Sequence, residues 1–334
     1  MLDNQDNMTL TNTDDLVSGV LACNRRMIAK AMTLIESTYK KDREESFVFM
    51  KKISPYTGKS TRIGITGIPG VGKSTFIENL GVYLADKGHK IAVLAVDPTS
   101  QRSGGSILGD KTRMGKLAAY KNAFIRPSPA GETLGGVAAK TREIMFVCEA
   151  AGFDIILIET VGTGQSEACV AFMVDFFLVL YIAGAGDELQ GIKKGVLELA
   201  DCIAINKADG DNMPFVKKAQ KELELAMHMM RPETLTWSAP VLTCSSIHEK
   251  GTKKVWECVL DHQKKFKKTG EFLQRRKSQS LKWMWSLVDD GLKQRFKDNK
   301  KINEKMPAII QQVKDESLSP SKAAAMLLSY LDGN

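Results

Sequence analysis

The sequence lacks any cluster of residues suited to a zinc site or a disulfide framework. Its six cysteines are scattered, no Cys-x-x-Cys pair occurs, and only four histidines are present in 334 residues. Such sites need closely spaced cysteine and histidine ligands. We therefore expect reduced, mostly buried thiols and a cytoplasmic protein. The cysteines are Cys23, Cys148, Cys169, Cys202, Cys244 and Cys258.

Long apolar runs are also scarce. The longest, 172–185, is interrupted by Asp175, and it is too short to span a membrane, so a buried strand is the better interpretation. The polar, acidic stretch Met1–Asp15 has neither the basic nor the apolar region of a secretory signal. We predict no membrane association and no secretory leader.

Positive charge is in excess, but it is concentrated in one stretch. The formal net charge is +8, and residues 262–301 hold 13 Lys/Arg and 4 Asp/Glu, a local net of +9 that leaves −1 for the rest (8 − 9). No aromatic-interleaved groove, helix-turn-helix or zinc pattern accompanies this stretch. We expect a solvated or partner-binding helical face and no nucleic-acid binding.

Short apolar runs alternate with longer helical stretches between about Arg62 and Lys268. Most runs are rich in Ile, Val, Leu and Phe without polar alternation, which is typical of strands covered on both faces. The pattern predicts an α/β fold with a mostly parallel, doubly wound sheet. The predicted strands are Arg62–Ile68, Lys90–Asp97, Ala123–Pro127, Asp154–Val161, Asp175–Ala183, Asp201–Asn206 and Pro240–Cys244.

Helical segments flank this core on both sides. Leu16–Leu34 carries apolar residues near helical spacing, and the charge-rich stretches Lys268–Asp298 and Met306–Leu331 follow the core, with a break at Ser317–Pro320. We therefore divide the chain into an N-terminal helical extension (1–61), a core domain (62–268) and a C-terminal helical arm (269–334).

The strongest motif fits G-x-x-x-x-G-K-[ST] and lies between the first predicted strand and a helix. Its glycines let backbone N–H groups wrap a phosphate, and the helix N-terminus adds positive charge. Lys73 would neutralise the β- and γ-phosphates, and the Ser74 hydroxyl suits Mg²⁺. The motif predicts a P-loop NTPase. Its predicted nucleotide-binding residues are Gly67, Ile68, Pro69, Gly70, Val71, Gly72, Lys73, Ser74 and Thr75.

A second motif, Asn206-Lys207-Ala208-Asp209, ends a later predicted strand. The Asp209 carboxylate can accept hydrogen bonds from the N1–H and exocyclic amine of guanine, whereas adenine presents an acceptor at N1 and is rejected. The motif therefore favours guanine, with Asn206 and Lys207 assigned to the same site. The loop after the last strand, Cys244, Ser245 and Ser246, is placed to offer a backbone N–H to guanine O6.

Two further carboxylates close predicted strands at the edge where ligands of such sheets gather. Asp97 closes the second strand and Glu159 the fourth. Both are candidate inner or outer Mg²⁺ ligands and orienters of the attacking water, and Gly162 would give an N–H near the γ-phosphate. The catalytic set is thus Lys73, Asp97, Glu159 and Gly162.

Together these motifs resemble the MeaB/ArgK family of P-loop GTPases, the methylmalonyl-CoA mutase-associated GTPases, from about Leu16 to Leu331. The more specific blocks are Glu159–Glu167 and Gly186–Lys193. Further blocks follow the family pattern: Ser18–Val20, Asn24–Arg26, Leu34–Glu36, Val96–Ser100, Gly109–Met114, Leu134–Gly136, Arg275-Arg276, Gln279 and Trp283–Trp285.

The resemblance implies a homodimer held partly by the C-terminal arm, and a chaperone for a B12-dependent acyl-CoA mutase. Such a chaperone gates adenosylcobalamin loading and expels damaged cofactor, with GTP hydrolysis as the timer. It also implies that Asp110, a further metal ligand, and Arg113 lie in a loop reaching Mg²⁺ and the phosphates. Residues 187–194 would form a second switch, with Lys193 or Lys194 adding charge at the γ-phosphate.

Slow intrinsic hydrolysis is expected, because Thr163 follows Gly162 where many small GTPases place a water-orienting Gln. Three other interpretations remain open. They are a GTP-dependent kinase of a transport-system protein, a GTPase that delivers nickel or another cofactor, and a nucleotide-binding scaffold. Scattered histidines and cysteines argue against nickel delivery, and the intact set Lys73, Ser74, Asp97 and Glu159 argues against a scaffold.

Overall fold

The computed structural model describes residues 12–37, 39–96, 114–126, 134–160, 166–184, 194–230 and 236–331. The chain forms two compact units that divide between Lys277 and Ser278. The first unit contains the sheet, and the second consists of helices.

All seven predicted strands form one parallel sheet, with ends within two residues of those predicted. The strand order is β3-β2-β4-β1-β5-β6-β7, and every neighbouring pair is parallel. The doubly wound α/β prediction is therefore confirmed. The strands are β1 (Thr61–Thr66), β2 (Ile91–Val96), β3 (Ala123–Arg126), β4 (Ile155–Thr160), β5 (Phe176–Ile182), β6 (Cys202–Asn206) and β7 (Val241–Thr243).

Helices connect the strands and cover both faces of the sheet. Short 3₁₀ turns at Ser54–Tyr56 and Gly210–Asn212 supplement them. The helices that begin in the first unit are α1 (Thr13–Leu21), α2 (Arg25–Glu36), α3 (Lys40–Ile53), α4 (Lys73–Asp86), α5 (Gly115–Ala118), α6 (Leu134–Ala150), α7 (Ser166–Ala171), α8 (Lys194–Glu198), α9 (Met213–Met229), α10 (Thr252–Thr269) and α11 (Glu271–Asp298).

The sheet separates two apolar cores. On one face, side chains of α1, α2, α3, α6 and α9 pack against the strands. On the other face, α4, α5 and α10 do so. Because β2 and β4 are buried at every position, their sequences lack polar alternation, as expected of a doubly covered parallel sheet.

The N-terminal extension is helical, as expected, and contains α1, α2 and α3. Within the stretch Leu16–Leu34 the chain is divided between α1 and α2, because Cys23 adopts a left-handed φ of 58° and Asn24 then caps α2. The Asn24 side chain accepts hydrogen bonds from the N–H groups of Arg26 and Met27 at 3.0 and 3.2 Å. Asparagine at an N-cap satisfies donors that a helix leaves unpaired.

A buried ionic network closes the sheet edge where the strands begin. Arg276, in the first turns of α11, donates through Nε and NH2 to the two oxygens of Asp175, each at 2.7 Å. Its neighbour Arg275 binds both oxygens of Asp201 at 3.1 and 3.0 Å. These carboxylates immediately precede β5 and β6, so α11 is fastened to the start of both strands.

The second unit contains the rest of α11 and two more helices, α12 (Lys300–Lys314) and α13 (Pro320–Ser329). Asn299 caps α12 by accepting from Ile302 N at 3.1 Å, and its amide donates to Tyr330 O at 3.3 Å. The break expected at 317–320 lies between α12 and α13. Helix α12 starts at Lys300, six residues before Met306, where the sequence predicted the start of this helical stretch. The helix includes Pro307 in its interior.

Within the described ranges, none of the helices combines the length and apolar character that a membrane span requires. All six cysteines are free thiols; Cys148, Cys202 and Cys244 are buried and the other three are half-buried.

Candidate nucleotide site

The glycine-rich loop connects β1 to α4 at the carboxyl edge of the sheet. Gly67, Gly70 and Gly72 have φ values of 149°, 79° and 97°, which only glycine adopts without strain. A Cβ on Gly67 would lie 2.4 Å from the carbonyl oxygen of Leu180 in β5. Val71 is fully buried, so the loop is anchored from beneath.

Lys73 begins α4 and folds back over the loop. Its Nζ donates to Gly67 O at 2.7 Å and to Ile68 O at 3.3 Å. Burial lowers the pKa of Lys73, while the charges of Glu159 and Glu167 act in the opposite direction. Carbonyl oxygens therefore hold the ammonium inside the loop. A phosphate bound there could replace them as its hydrogen-bond acceptor.

The Ser74 hydroxyl donates to Glu159 Oε1 at 3.0 Å, and Glu159 is buried in β4. A hydroxyl and a carboxylate at this separation are the hard oxygen donors that suit Mg²⁺. The pair therefore fits a Mg²⁺ site that phosphate oxygens and water complete. Among the described residues no group of three or more His, Cys, Asp or Glu could hold a metal by itself.

Asn206, at the end of β6, connects the two motifs. Its Nδ2 donates to Val71 O at 2.8 Å. Its Oδ1 accepts from the N–H and hydroxyl of Ser246 at 3.0 and 2.9 Å. One buried amide thus joins the glycine-rich loop to the loop after β7.

Asp209 is oriented by the loop after β7, because the Ser245 hydroxyl donates to its Oδ2. The backbone between them is fixed by Ala208 N donating to Cys244 O at 3.0 Å. Lys207 is exposed and takes a left-handed φ of 57°, which is uncommon for a residue with a side chain and often marks a functional position.

The loop after β7 is itself closed by local contacts. Ser245 and Lys250 exchange two backbone hydrogen bonds at 2.9 and 3.1 Å, and Gly251 follows where a Cβ would lie 2.4 Å from Thr243 O. The Ser246 carbonyl accepts from Asn79 Nδ2. Because Asn79 lies on α4, the helix that carries Lys73 also supports the second loop.

The structure brings together the motif residues that it describes, at the carboxyl ends of β1, β4, β6 and β7. Thr75 is exposed in the first turn of α4, and Pro69 lies in the turn between Gly67 and Gly70. Asp97, Asp110 and Gly162 lie outside the described residues, as do Arg113 and 187–193.

Sequence reasoning missed two residues of this site. Asn79 follows Ser74 on α4 without any motif of its own, and only its contact with Ser246 reveals it. Glu167 ends the Glu159–Glu167 block, and the sequence alone predicts no role for it. In the folded chain its negative charge acts to raise the pKa of Lys73, against the larger lowering effect of burial.

The strand order, the glycine-rich loop between β1 and α4, and the hydroxyl–carboxylate pair at Ser74 define a P-loop NTPase. The family model described as "Methylmalonyl Co-A mutase-associated GTPase MeaB" matches residues 28–301. The chain therefore belongs to the MeaB family and is a GTPase, which confirms the resemblance drawn from the motifs.

Individual relatives are similar over nearly the whole chain. A probable GTPase of Mycobacterium tuberculosis is 46% identical over 325 residues, covering 96% of this chain and 97% of that protein. The mitochondrial methylmalonic aciduria type A homolog of Mus musculus is 42% identical over 325 residues, covering 94% and 78%. A solved structure described as "LAO/AO transport system kinase" superposes with a TM-score of 0.75 at 35% identity, covering 99% and 100%.

Proposed function

We propose that this GTPase is a chaperone for a B12-dependent acyl-CoA mutase of the methylmalonyl-CoA mutase type. In this role it gates adenosylcobalamin loading and protects the loaded mutase. The observation that carries the proposal is the MeaB family match over residues 28–301, which includes the whole nucleotide site. The name of the mouse relative, a methylmalonic aciduria type A homolog, points in the same direction.

In the proposed mechanism the chain binds GTP through two loops that are already joined. Loop N–H groups from Gly67 to Ser74 and the N-terminus of α4 surround the phosphates. Lys73 turns from its carbonyl partners to the β- and γ-phosphates. Asp209 accepts from guanine N1–H and the exocyclic amine, with the loop of Cys244 and Ser246 beside the base.

Ser74 would hold Mg²⁺ directly, with Glu159, Asp97 and Asp110 as further inner or outer ligands. Bound Mg²⁺ would supply charge neutralisation for the phosphates during hydrolysis. Glu159 and Asp97 would also orient the attacking water, and Gly162 would donate its N–H near the γ-phosphate.

Hydrolysis by the isolated protein is slow in this proposal. Thr163 takes the position after Gly162, so the chain offers no Gln there to orient water. The mutase would complete the site and increase the rate, which makes nucleotide turnover a timer for cofactor transfer.

We further propose a cytoplasmic homodimer in which residues 269–334 form the dimerisation arm, residues 62–268 the GTPase domain and residues 1–61 a helical extension. Free thiols throughout support a reducing compartment. In the second unit α11 exposes several apolar side chains, which a second copy could cover. They are Leu281, Met284, Trp285, Leu287, Val288 and Leu292.

Single-turnover GTP hydrolysis with and without a purified B12-dependent mutase tests the proposal. We expect slow basal turnover that the mutase accelerates, and nucleotide-dependent transfer of adenosylcobalamin to the apo-mutase. A matched mutase that does not use B12 serves as the control. Fast hydrolysis that no mutase changes, together with cofactor loading indifferent to nucleotide, would contradict the chaperone role.

The name of the superposed structure, a transport system kinase, favours phosphoryl transfer to a protein as the second candidate. The same reaction with γ-labelled GTP separates the two functions. Label released as inorganic phosphate supports the GTPase chaperone. Label retained on a transport-system protein supports the kinase.

A further inference from the structure

Ser246, in the loop after β7, is held from two sides by side-chain amides on different elements. Asn206, at the end of β6, accepts from the Ser246 N–H and hydroxyl at 3.0 and 2.9 Å. Asn79, in the second turn of α4, donates through Nδ2 to the Ser246 carbonyl. Ser246 is buried, so these amides take the place of water. The direction of its carbonyl is therefore set by Asn79.

The same loop has one backbone donor left over. Within the described chain, the Ile247 N–H has no hydrogen-bond partner, and the Ile247 side chain is exposed. The N–H groups of the three preceding residues and of the following residue are all engaged. In chain order, their acceptors are Ile205 O at 2.8 Å, Lys250 O at 2.9 Å, Asn206 Oδ1 at 3.0 Å and Ser245 Oγ at 3.3 Å. Among described residues 244–248, only the Ile247 N–H is thus available to a ligand.

Asn79 also sets the direction of this available N–H. The peptide between Ser246 and Ile247 is trans and planar, so its carbonyl and its N–H point in opposite directions. Because the carbonyl is directed at α4, the N–H points away from that helix. Two residues earlier in the loop, the Ser245 hydroxyl donates to Asp209, the proposed acceptor of guanine N1–H. The available N–H and the group that orients Asp209 therefore belong to one short loop.

We propose that Asn79 is a positioning residue for guanine recognition: by holding the Ser246 carbonyl toward α4, it aims the Ile247 N–H at the O6 atom of a base bound to Asp209. This inference rests on the proposed guanine site and adds the residue that orients its O6 donor. Without Asn79 the buried carbonyl loses its partner, and the peptide turns toward water because a buried unpaired carbonyl is costly. That rotation takes the Ile247 N–H away from the base.

The test uses Asn79→Leu, which keeps a side chain of similar size and removes the donor. Affinities are measured for GDP, inosine diphosphate and 2-aminopurine riboside diphosphate. Compared with guanine, the inosine base lacks only the 2-amino group, whereas 2-aminopurine lacks the 6-oxo group and the N1–H. We expect Asn79→Leu to weaken binding of GDP and inosine diphosphate equally, by about tenfold, because both present O6. Binding of the 2-aminopurine nucleotide should change little.

Asn122→Leu is the matched control. The Asn122 amide donates to Ala85 O and His89 O at 3.1 and 2.7 Å, so it too holds backbone carbonyls, but at the far end of α4. This control should keep all three wild-type affinities. Asn79→Asp, which has the shape of asparagine and no donor when ionised, should repeat the pattern of Asn79→Leu. It keeps the test decisive if the leucine variant does not fold.

The pattern across the three nucleotides separates positioning from general support. An equal loss for all three overturns the proposal, because Asn79 would then maintain the whole site rather than the O6 donor. Unchanged affinities overturn it as well. A loss for GDP that inosine diphosphate does not share also overturns it, because the contact affected would be the one to the 2-amino group.

The proposed guanine site fails separately. A wild-type chain with equal affinity for GDP and ADP would contradict that site in the first titration, before any variant is compared. Because the test needs neither hydrolysis nor a mutase, a missing mutase interaction leaves the result on Asn79 unaffected.

Discussion

The Asn206 side chain donates to the carbonyl of Val71 at 2.8 Å, which joins the end of β6 to the glycine-rich loop. The position of Asn206 also explains why residue 72 is a glycine, since a Cβ on Gly72 would lie 2.6 Å from Asn206 Nδ2. The Oδ1 atom of Asn206 accepts hydrogen bonds from both the N–H and the hydroxyl of Ser246. The glycine-rich loop and the loop after β7 are therefore both held by the same buried amide.

Replacing this amide should weaken binding of the whole nucleotide. In Asn206→Ala the Val71 carbonyl and the Ser246 N–H lose their partners, and each buried unpaired group costs roughly 1–3 kcal/mol. We expect GTP and GDP affinities to fall together by at least about tenfold, measured by calorimetry. Asn303→Ala, on α12, is the matched control. A loss confined to GTP would contradict the shared role.

Asp209 should decide which base is accepted. In Asp209→Asn an amide replaces an acceptor-only carboxylate, so its N–H₂ group faces the donors of guanine but complements the 2-oxo group of xanthine. We expect GDP affinity to fall by about 100-fold and xanthosine diphosphate binding to appear, in competition titrations. The exposed Asp211→Asn is the control. Retained preference for guanine would place base recognition elsewhere.

Ser74 should control the metal rather than the base. Ser74→Ala removes the hydroxyl that now donates to Glu159 and that we propose for Mg²⁺. We expect the Mg²⁺ concentration for half-maximal hydrolysis to rise at least about tenfold, while GDP binding without Mg²⁺ changes little. Ser321→Ala, exposed on α13, serves for comparison. A normal Mg²⁺ requirement would exclude Ser74 as a ligand.

The Arg276–Asp175 pair should be a stability determinant. Arg276→Gln leaves a buried carboxylate without its bidentate partner, and breaking such a pair costs about 3–5 kcal/mol. Denaturant unfolding should show this loss, and Asp175→Asn combined with it should cost less than the two single changes added together. Arg295→Gln, exposed on α11, should have little effect. Additive losses would mean that the two residues act independently.

Arg275 should make stability depend on pH. Burial acts to raise the pKa of Asp201, but Arg275 and His262 together lower it by more than burial raises it. The net shift of the Asp201 pKa is therefore downward. A lowered folded-state pKa stabilises the fold above the unfolded value of about 4, and this contribution disappears as pH falls through the folded value.

In Arg275→Gln the effect of burial should dominate. The loss of unfolding free energy relative to wild type should then be largest above about pH 5 and should shrink toward pH 3. Urea unfolding across this range measures it. A difference between the two proteins that does not vary with pH would contradict the role of Arg275 in holding Asp201 ionised.

The sequence predicted the sheet well because its signals are local. Runs such as Ile91–Val96 are buried on both faces and therefore show no polar alternation. Helix ends were predicted less well. Gly270, with a φ of 82°, divides the predicted stretch Lys268–Asp298 into α10 and α11, and the caps at Asn24 and Asn299 set starts that apolar spacing alone does not show.

By itself, the sequence determined the parallel α/β core, the P-loop with its lysine and serine, and the family. Each of these is encoded in neighbouring residues whose backbone geometry or apolar pattern is specific. Only the tertiary structure decided that Asn206 joins two loops, that Asn79 supports the second loop, and that Arg275 and Arg276 fasten α11 to the sheet. These partners lie far apart along the chain, and only the packing of strands and helices against one another brings their polar groups within hydrogen-bonding distance.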